Sequence, residues 1–170
     1  MEFLYSVQES PLSAWIRESD WALFAGLIVH TISMGILLGT AAIMDLRIIG
    51  VAALGAPLSR FSRFRPILTW GLGVSIISGV VLVAGYPAKA VLNPLFYIKL
   101  VLLIAALVLT RNLARQTAGG DYDVEAAPAR IKQLAWLSLV LLTLGLFAGK
   151  FLAHTAPVTL LQGPWLQEPL

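Results

Sequence analysis

Four apolar runs, Trp21–Met44, Pro66–Tyr86, Leu95–Thr110 and Leu134–His154, make up nearly half of this 170-residue chain. Each comes near the roughly 20 residues that a helix needs to cross a bilayer. Hydrocarbon offers the backbone no hydrogen-bonding partners, so a run of that kind must satisfy its own N–H and C=O groups, and it does so as a helix. Hydrophobic residues make up 58% of the chain and charged ones 12%, against about half and a quarter in soluble domains. The expected fold is therefore all-α: an integral membrane, antiparallel four-helix bundle formed by residues 1–156, followed by a Pro-containing tail over 157–170. The third run is the shortest and reaches spanning length only if Asn93 and Pro94 lie at the membrane surface.

The charges assign sides. Arg47, Arg60, Arg63 and Arg65 fill the connection after the first run, and Arg111, Arg115, Arg130 and Lys132 the connection after the third. The link between runs two and three holds only Lys89. By the positive-inside rule the two arginine-rich loops are cytoplasmic and both termini lie outside, on the periplasmic face of a bacterial inner membrane. The same topology accounts for the net charge of +3, so the basic residues do not point to nucleic acid. No basic stretch precedes a short apolar core at the N-terminus, which predicts that the first span is its own insertion signal. Residues Glu2–Glu18 mix Phe3, Leu4, Tyr5, Leu12, Trp15 and Ile16 with polar positions and are broken at Pro11. That pattern predicts a short helix lying in the outer interface. Trp165 is positioned to anchor the tail at the headgroups.

With no cysteine in the chain, disulfides, thiolate metal sites and covalently attached c-type haem are excluded. No P-loop, H-E-x-x-H or G-x-S-x-G motif is present, so hydrolase and nucleotide-driven activities find no support. Gly71, Ser75 and Gly79 share a stripe of span two, Gly35 and Gly39 one of span one, and Gly145 and Gly149 one of span four. Small residues at this spacing let helices approach closely in lipid. They also leave room for a flat cofactor.

His30 lies near the middle of the first span, with Gly26, Ser33, Met34 and Leu37 as helical neighbours. A titratable side chain at that depth marks a ligand, a proton path or a buried hydrogen-bonded pair. Three readings stand: a metal or haem ligand, a proton relay, or a structural histidine bonded to a neighbouring helix through Ser75, Ser78 or a water. Lys99 enters span three about one turn from the outer face, and Lys150 and His154 sit one turn apart near the same face of span four. Singly, each lysine reads as an anchor whose stem snorkels to the headgroups. Convergence of the two with His30 would suit the propionates of a porphyrin or another anionic ligand. Asp45 and Arg47 read as an interfacial ion pair closing span one, with no carboxylate deep in any span.

The stretch Ile16–Trp21, reading Ile-Arg-Glu-Ser-Asp-Trp, then His30, then Met44–Gly50, reading Met-Asp-Leu-Arg-Ile-Ile-Gly, resembles a family of small bacterial four-helix membrane proteins of unassigned function. Trp70-Gly-Leu, Ser78-Gly-Val and the run from Asn93 to Leu100 continue the likeness, which covers residues 12–115. More distantly, a histidine in span one and Lys-Leu at the start of span three are similar to CopD-type copper-resistance proteins and HemJ-type protoporphyrinogen oxidases, whose bundle binds b-type haem. The resemblance implies His30 as a haem ligand and Lys99 as its partner.

The resulting expectation is a b-type haem membrane protein that passes electrons at the periplasmic face as part of a larger redox complex, rather than a stand-alone enzyme. His30 is the expected axial ligand, with His154 or Met34 on the other side and Lys99 and Lys150 near the propionates. His30 and His154 differ in depth by about 10 Å if the helices run straight, so that pair requires helix tilt. The alternatives are a cofactor-free docking subunit or homo-oligomer that packs through its glycine stripes, and copper handling at His30 and His154. Three methionines and no cysteine offer little to a copper site.

Overall fold

The computed structural model describes residues 6–52, 63–117 and 128–160, except for the side chains of 89, 117 and 153–160. Helix α1 (Pro11–Glu18) starts at Ser10, whose side chain accepts from the Ser13 N–H, with Pro11 in the first turn where no amide partner is needed. One side of α1 presents exposed Leu12 and Trp15, and the other buries Ser13 and Ile16. The expected interfacial helix is thus present, and it is docked. Ser13 Oγ donates to the Gly85 carbonyl at 3.2 Å, and Arg17 Nη1 donates to the same oxygen at 3.0 Å. Gly85 ends a spanning helix, so two donors from α1 satisfy a carbonyl with no partner within its own helix.

Four helices are long and apolar enough to cross a membrane. Helix α2 (Ala22–Ile49) runs five residues beyond Met44, where the apolar run ends, and stops at Gly50. Gly50 takes the left-handed conformation at φ 92° and returns its N–H to Leu46 and Arg47, a closure that favours glycine. Helix α3 (Arg65–Gly85) carries Pro66 in its first turn. A five-residue helix α4 (Pro87–Val91) then turns the chain. Helix α5 (Pro94–Thr117), at 24 residues, gives the third span the length that its apolar run alone lacked. Its start is set by Asn93, whose Oδ1 accepts from Leu95 N at 3.0 Å, and it runs about two turns past Thr110. Helix α6 (Ala129–Leu160) continues through Pro157, so the first residues expected in the tail are helical. Glu2, Phe3, Leu4, Tyr5 and Arg60, together with Pro164, Trp165 and Pro169 of the expected tail, lie outside the described residues.

The protein is an all-α, multi-pass membrane bundle. Its broad exposed surface of Ile, Leu, Val, Phe and Trp side chains is the surface that meets lipid. Two antiparallel hairpins, α2/α3 and α5/α6, join along α2 and α6. Ala41, Ala106 and Ala135 are fully buried where α2, α5 and α6 meet, and their small side chains permit that approach. Helices α3 and α5 would form the fourth side of the square, yet they hardly touch. Near the start of α3, Phe64 and Leu68 close over Met44 and Ala114. Between there and α4 the fourth side stays open.

The glycines divide by role. At Gly71 a Cβ would lie 3.7 Å from the Leu37 Cα, so this glycine does seat two backbones together. Gly79 instead makes room for the His30 ring, Gly145 for Leu103 and Gly149 for the Lys99 stem. At Gly35 and Gly39 a Cβ would meet nothing within 4 Å, so that stripe packs no helix within the described residues.

Asp45 also departs from the sequence expectation. It is wholly buried, as are Thr110 and Ser138, and Thr110 Oγ1 lies 3.2 Å from Asp45 Oδ2 and 2.9 Å from Ser138 Oγ. Ser138 Oγ is 3.1 Å from the Ala106 carbonyl. Because α2 continues to Ile49 and α5 to Thr117, a carboxyl expected at the helix end lies inside the bundle. It bonds across to α5 and thus to α6. Arg47 is likewise buried, at 5% exposure.

Candidate functional site

The open side of the bundle leads into a cleft of about 690 Å³, within the usual range for small-molecule sites. Leu23, Leu27, His30, Met34 and Leu37 of α2 form its floor. One wall is α3, through Leu72, Ser75, Ile76, Gly79, Val80 and Val83; the other is α5, through Phe96, Lys99, Leu100, Leu103, Ile104 and Leu107. Tyr86 and Ala90 close the end nearest α1, and Gly149 and Leu152 of α6 complete the α5 side. The lining is almost entirely apolar. His30 and Lys99 are the titratable nitrogen bases within it.

The hydrogen bonds of His30 decide which of its nitrogens is free. Nδ1 lies 3.1 Å from the Ser75 carbonyl and 3.1 Å from Ser78 Oγ. A carbonyl oxygen can only accept. Ser78 has a single hydroxyl proton, and its shortest contact, 2.7 Å to the Val74 carbonyl, takes it. Both groups beside Nδ1 are therefore acceptors, so Nδ1 carries the hydrogen and, in the neutral ring, Nε2 keeps its lone pair. A backbone carbonyl on the far nitrogen is how proteins orient a metal-binding imidazole. The bond expected of a structural histidine is present, and it occupies one nitrogen only.

Helix α3 supplies this arrangement because Ser75 and Ser78 share a face with Gly79, one residue further on. A Cβ at Gly79 would stand 3.2 Å from His30 Cε1, so the missing side chain is what lets the ring come this close to α3. A second glycine serves Lys99. A Cβ at Gly149 would meet Lys99 Cε at 3.2 Å and Nζ at 3.4 Å. The lysine stem lies across α6, and among the described residues its ammonium has no hydrogen-bond or ion-pair partner.

Of the residues singled out in the sequence, His30, Met34 and Lys99 meet in the cleft. Met34 stands one turn along the same helix as His30, so it flanks the imidazole rather than facing it across the cleft. Lys150 is exposed and absent from the lining, since one residue of α6 turns it about 100° from Gly149. His154 lies in α6 about 7.5 Å along the axis from Gly149, and its side chain is outside the described part of the chain. Among the described residues no three His, Cys, Asp or Glu side chains gather as a metal centre. Sequence reasoning missed the paired glycines as partners of His30 and Lys99, and it missed Tyr86 and Phe96 at the end of the cleft. The signal lay in Gly79 and Gly149, whose spacing by itself indicates helix contacts. No protein family, no curated protein and no solved structure matches this chain.

Proposed function

We propose that this protein binds non-covalent haem b in the α3–α5 cleft and relays electrons as a membrane subunit of a redox complex. The observation that carries the reading is the setting of His30: Nδ1 lies 3.1 Å from the Ser75 carbonyl and from Ser78 Oγ, Nε2 has no hydrogen-bond partner among the described residues, and the ring lines an apolar cleft. The residues fit the group. His30 would hold the iron from one side, Lys99 would meet a propionate, and the aliphatic walls would cover the macrocycle. Haem, when bound, supplies a one-electron couple. The chain's own residues hold the imidazole in one tautomer, exclude water from the cleft and place one cation at the end near α1. Purified protein, expressed with haem supplied, is expected to show a Soret band and, after dithionite, sharp alpha and beta bands. A flat visible spectrum would favour a cofactor-free docking subunit instead.

Lys99 provides a separate check. An anchor that only snorkels tolerates both Lys99→Arg and Lys99→Gln. A propionate partner tolerates Arg better than Gln, so Lys99→Gln is expected to weaken haem retention by about ten-fold, the loss of roughly one charge-assisted hydrogen bond. Equal retention in the wild type and Lys99→Gln would assign the lysine to anchoring.

The proposed sidedness places the cleft in the periplasmic half of a bacterial inner membrane. Eight basic residues flank the two connections assigned to the cytoplasm and one lies in the other link. A periplasm-dependent reporter fused after Leu170 is expected to be active, and activity of a cytoplasm-dependent reporter there would invert the assignment.

A further inference from the structure

We infer that the cleft exchanges its ligand sideways with the bilayer, through a portal between α3 and α5, so that the haem is drawn from the lipid phase. This rests on the haem reading of the same site. Tyr86, Ala90 and Phe96 line the cleft at the end near α1, and toward the start of α3 Phe64 and Leu68 pack over Met44 and Ala114, outside the lining. Arg17 braces the end near α1, since it bonds the Gly85 carbonyl and lies 5.9 Å from the centre of the Tyr86 ring. Among the described residues, the cleft opens on the side where α3 and α5 hardly touch.

Four residues rim that opening, Ile76 and Val80 on α3 and Leu100 and Ile104 on α5. All four line the cleft and are also exposed, at 56%, 62%, 39% and 59%. They belong to spanning helices, so what they are exposed to is hydrocarbon. An aqueous ligand would meet no polar group at this rim. An amphipathic one, dissolved in the leaflet with its carboxylates toward the headgroups, would pass its apolar body between the helices. Inside it would find the two features an apolar rim lacks: the ammonium of Lys99 and the imidazole of His30. Lys99 lies about 7.5 Å along α5 from Pro94, the depth at which a carboxylate just below the headgroups reaches it.

Portal residues can be changed without touching either ligand-facing base. Apo-protein is reconstituted into phosphatidylcholine vesicles whose bilayer already holds haemin, and Soret development is followed in time. Narrowing the portal with Val80→Trp and Ile104→Trp is expected to slow loading by about ten-fold or more. Ile77→Trp and Val101→Trp add the same bulk at residues that are exposed, at 69% and 66%, but do not line the cleft, and they are expected to load like the wild type. The widening pair Val80→Ala and Ile104→Ala is expected to load faster, and it decides the matter if the tryptophan variants fail to fold. Loading rates that ignore both narrowing and widening, in proteins that do acquire the bound spectrum, overturn the portal. A wild type that never acquires that spectrum overturns the haem reading instead.

Discussion

His30→Gln is expected to strip the protein of its Soret absorbance while leaving it helical and monodisperse. Glutamine keeps a donor that reaches the Ser75 carbonyl, so the bond between α2 and α3 survives and stability changes by no more than about 1 kcal/mol. What it lacks is the bare Nε2. Loss of an axial ligand exceeds the 10- to 100-fold cost typical of disturbing a ligand's hydrogen-bonding partner, so haem is expected to wash out on purification. Ser78→Ala grades the effect. It removes one acceptor beside Nδ1 and leaves the Ser75 carbonyl in place, so retention is expected to fall by about ten-fold with a small shift of the reduced bands. A purely structural histidine would behave otherwise: His30→Gln would keep whatever spectrum the wild type has. Absorption spectra and retained haem per protein separate the two outcomes directly.

Thr110→Val is expected to destabilise the bundle although it hardly changes the side chain's shape. Its hydroxyl lies between Asp45 and Ser138, and all three residues are fully buried. Valine has nearly the same shape and no hydroxyl, so the Asp45 carboxyl and the Ser138 hydroxyl each lose one partner, while Ser138 keeps the Ala106 carbonyl. Each buried hydrogen bond lost costs about 0.5–1.5 kcal/mol, and more where a carboxyl accepts, so the change is expected to lower unfolding free energy in mixed micelles by about 1–3 kcal/mol. Thr110→Ser keeps the hydroxyl and is expected to stay within about 1 kcal/mol of the wild type. Removing every polar partner together, in Asp45→Leu, Thr110→Val, Ser138→Ala, is expected to recover much of the loss, because the penalty comes from stranding the groups. A single Thr110→Val as stable as the wild type would show that the network does not hold α2, α5 and α6 together.

The site was partly legible in the sequence. His30 stands out because a titratable ring in an apolar run is costly, and Lys99 because it lies inside a span. The glycines are visible as stripes, but spacing along one helix says which residues share a face and nothing about what lies opposite. Gly79 and Gly149 prove to face the two bases, Gly71 alone of the stripes brings backbones together as expected, and Gly35 and Gly39 face open space. Lys150 shows the same limit from the other side. Its depth matches that of Lys99, but its angle around α6 turns it away from the cleft.

The amino-acid sequence by itself determined that the chain is helical, that it crosses a membrane in four segments, and which of its rare polar groups lie within them, because backbone satisfaction in hydrocarbon depends on local composition and length. Helix ends followed less closely. Asp45 and Thr110 sit at the apparent boundaries of apolar runs, whereas α2 continues to Gly50 and α5, started at Asn93, runs on to Thr117. Only the tertiary structure decided that α3 and α5 stand apart, that the Ser75 carbonyl fixes the His30 tautomer, and that Asp45 is tied to α5 and α6 within the core. Those facts depend on which helix faces meet. In lipid, where apolar surface gains nothing by leaving the solvent, that choice is made by small differences in packing and by a few hydrogen bonds between residues 45 to 65 positions apart.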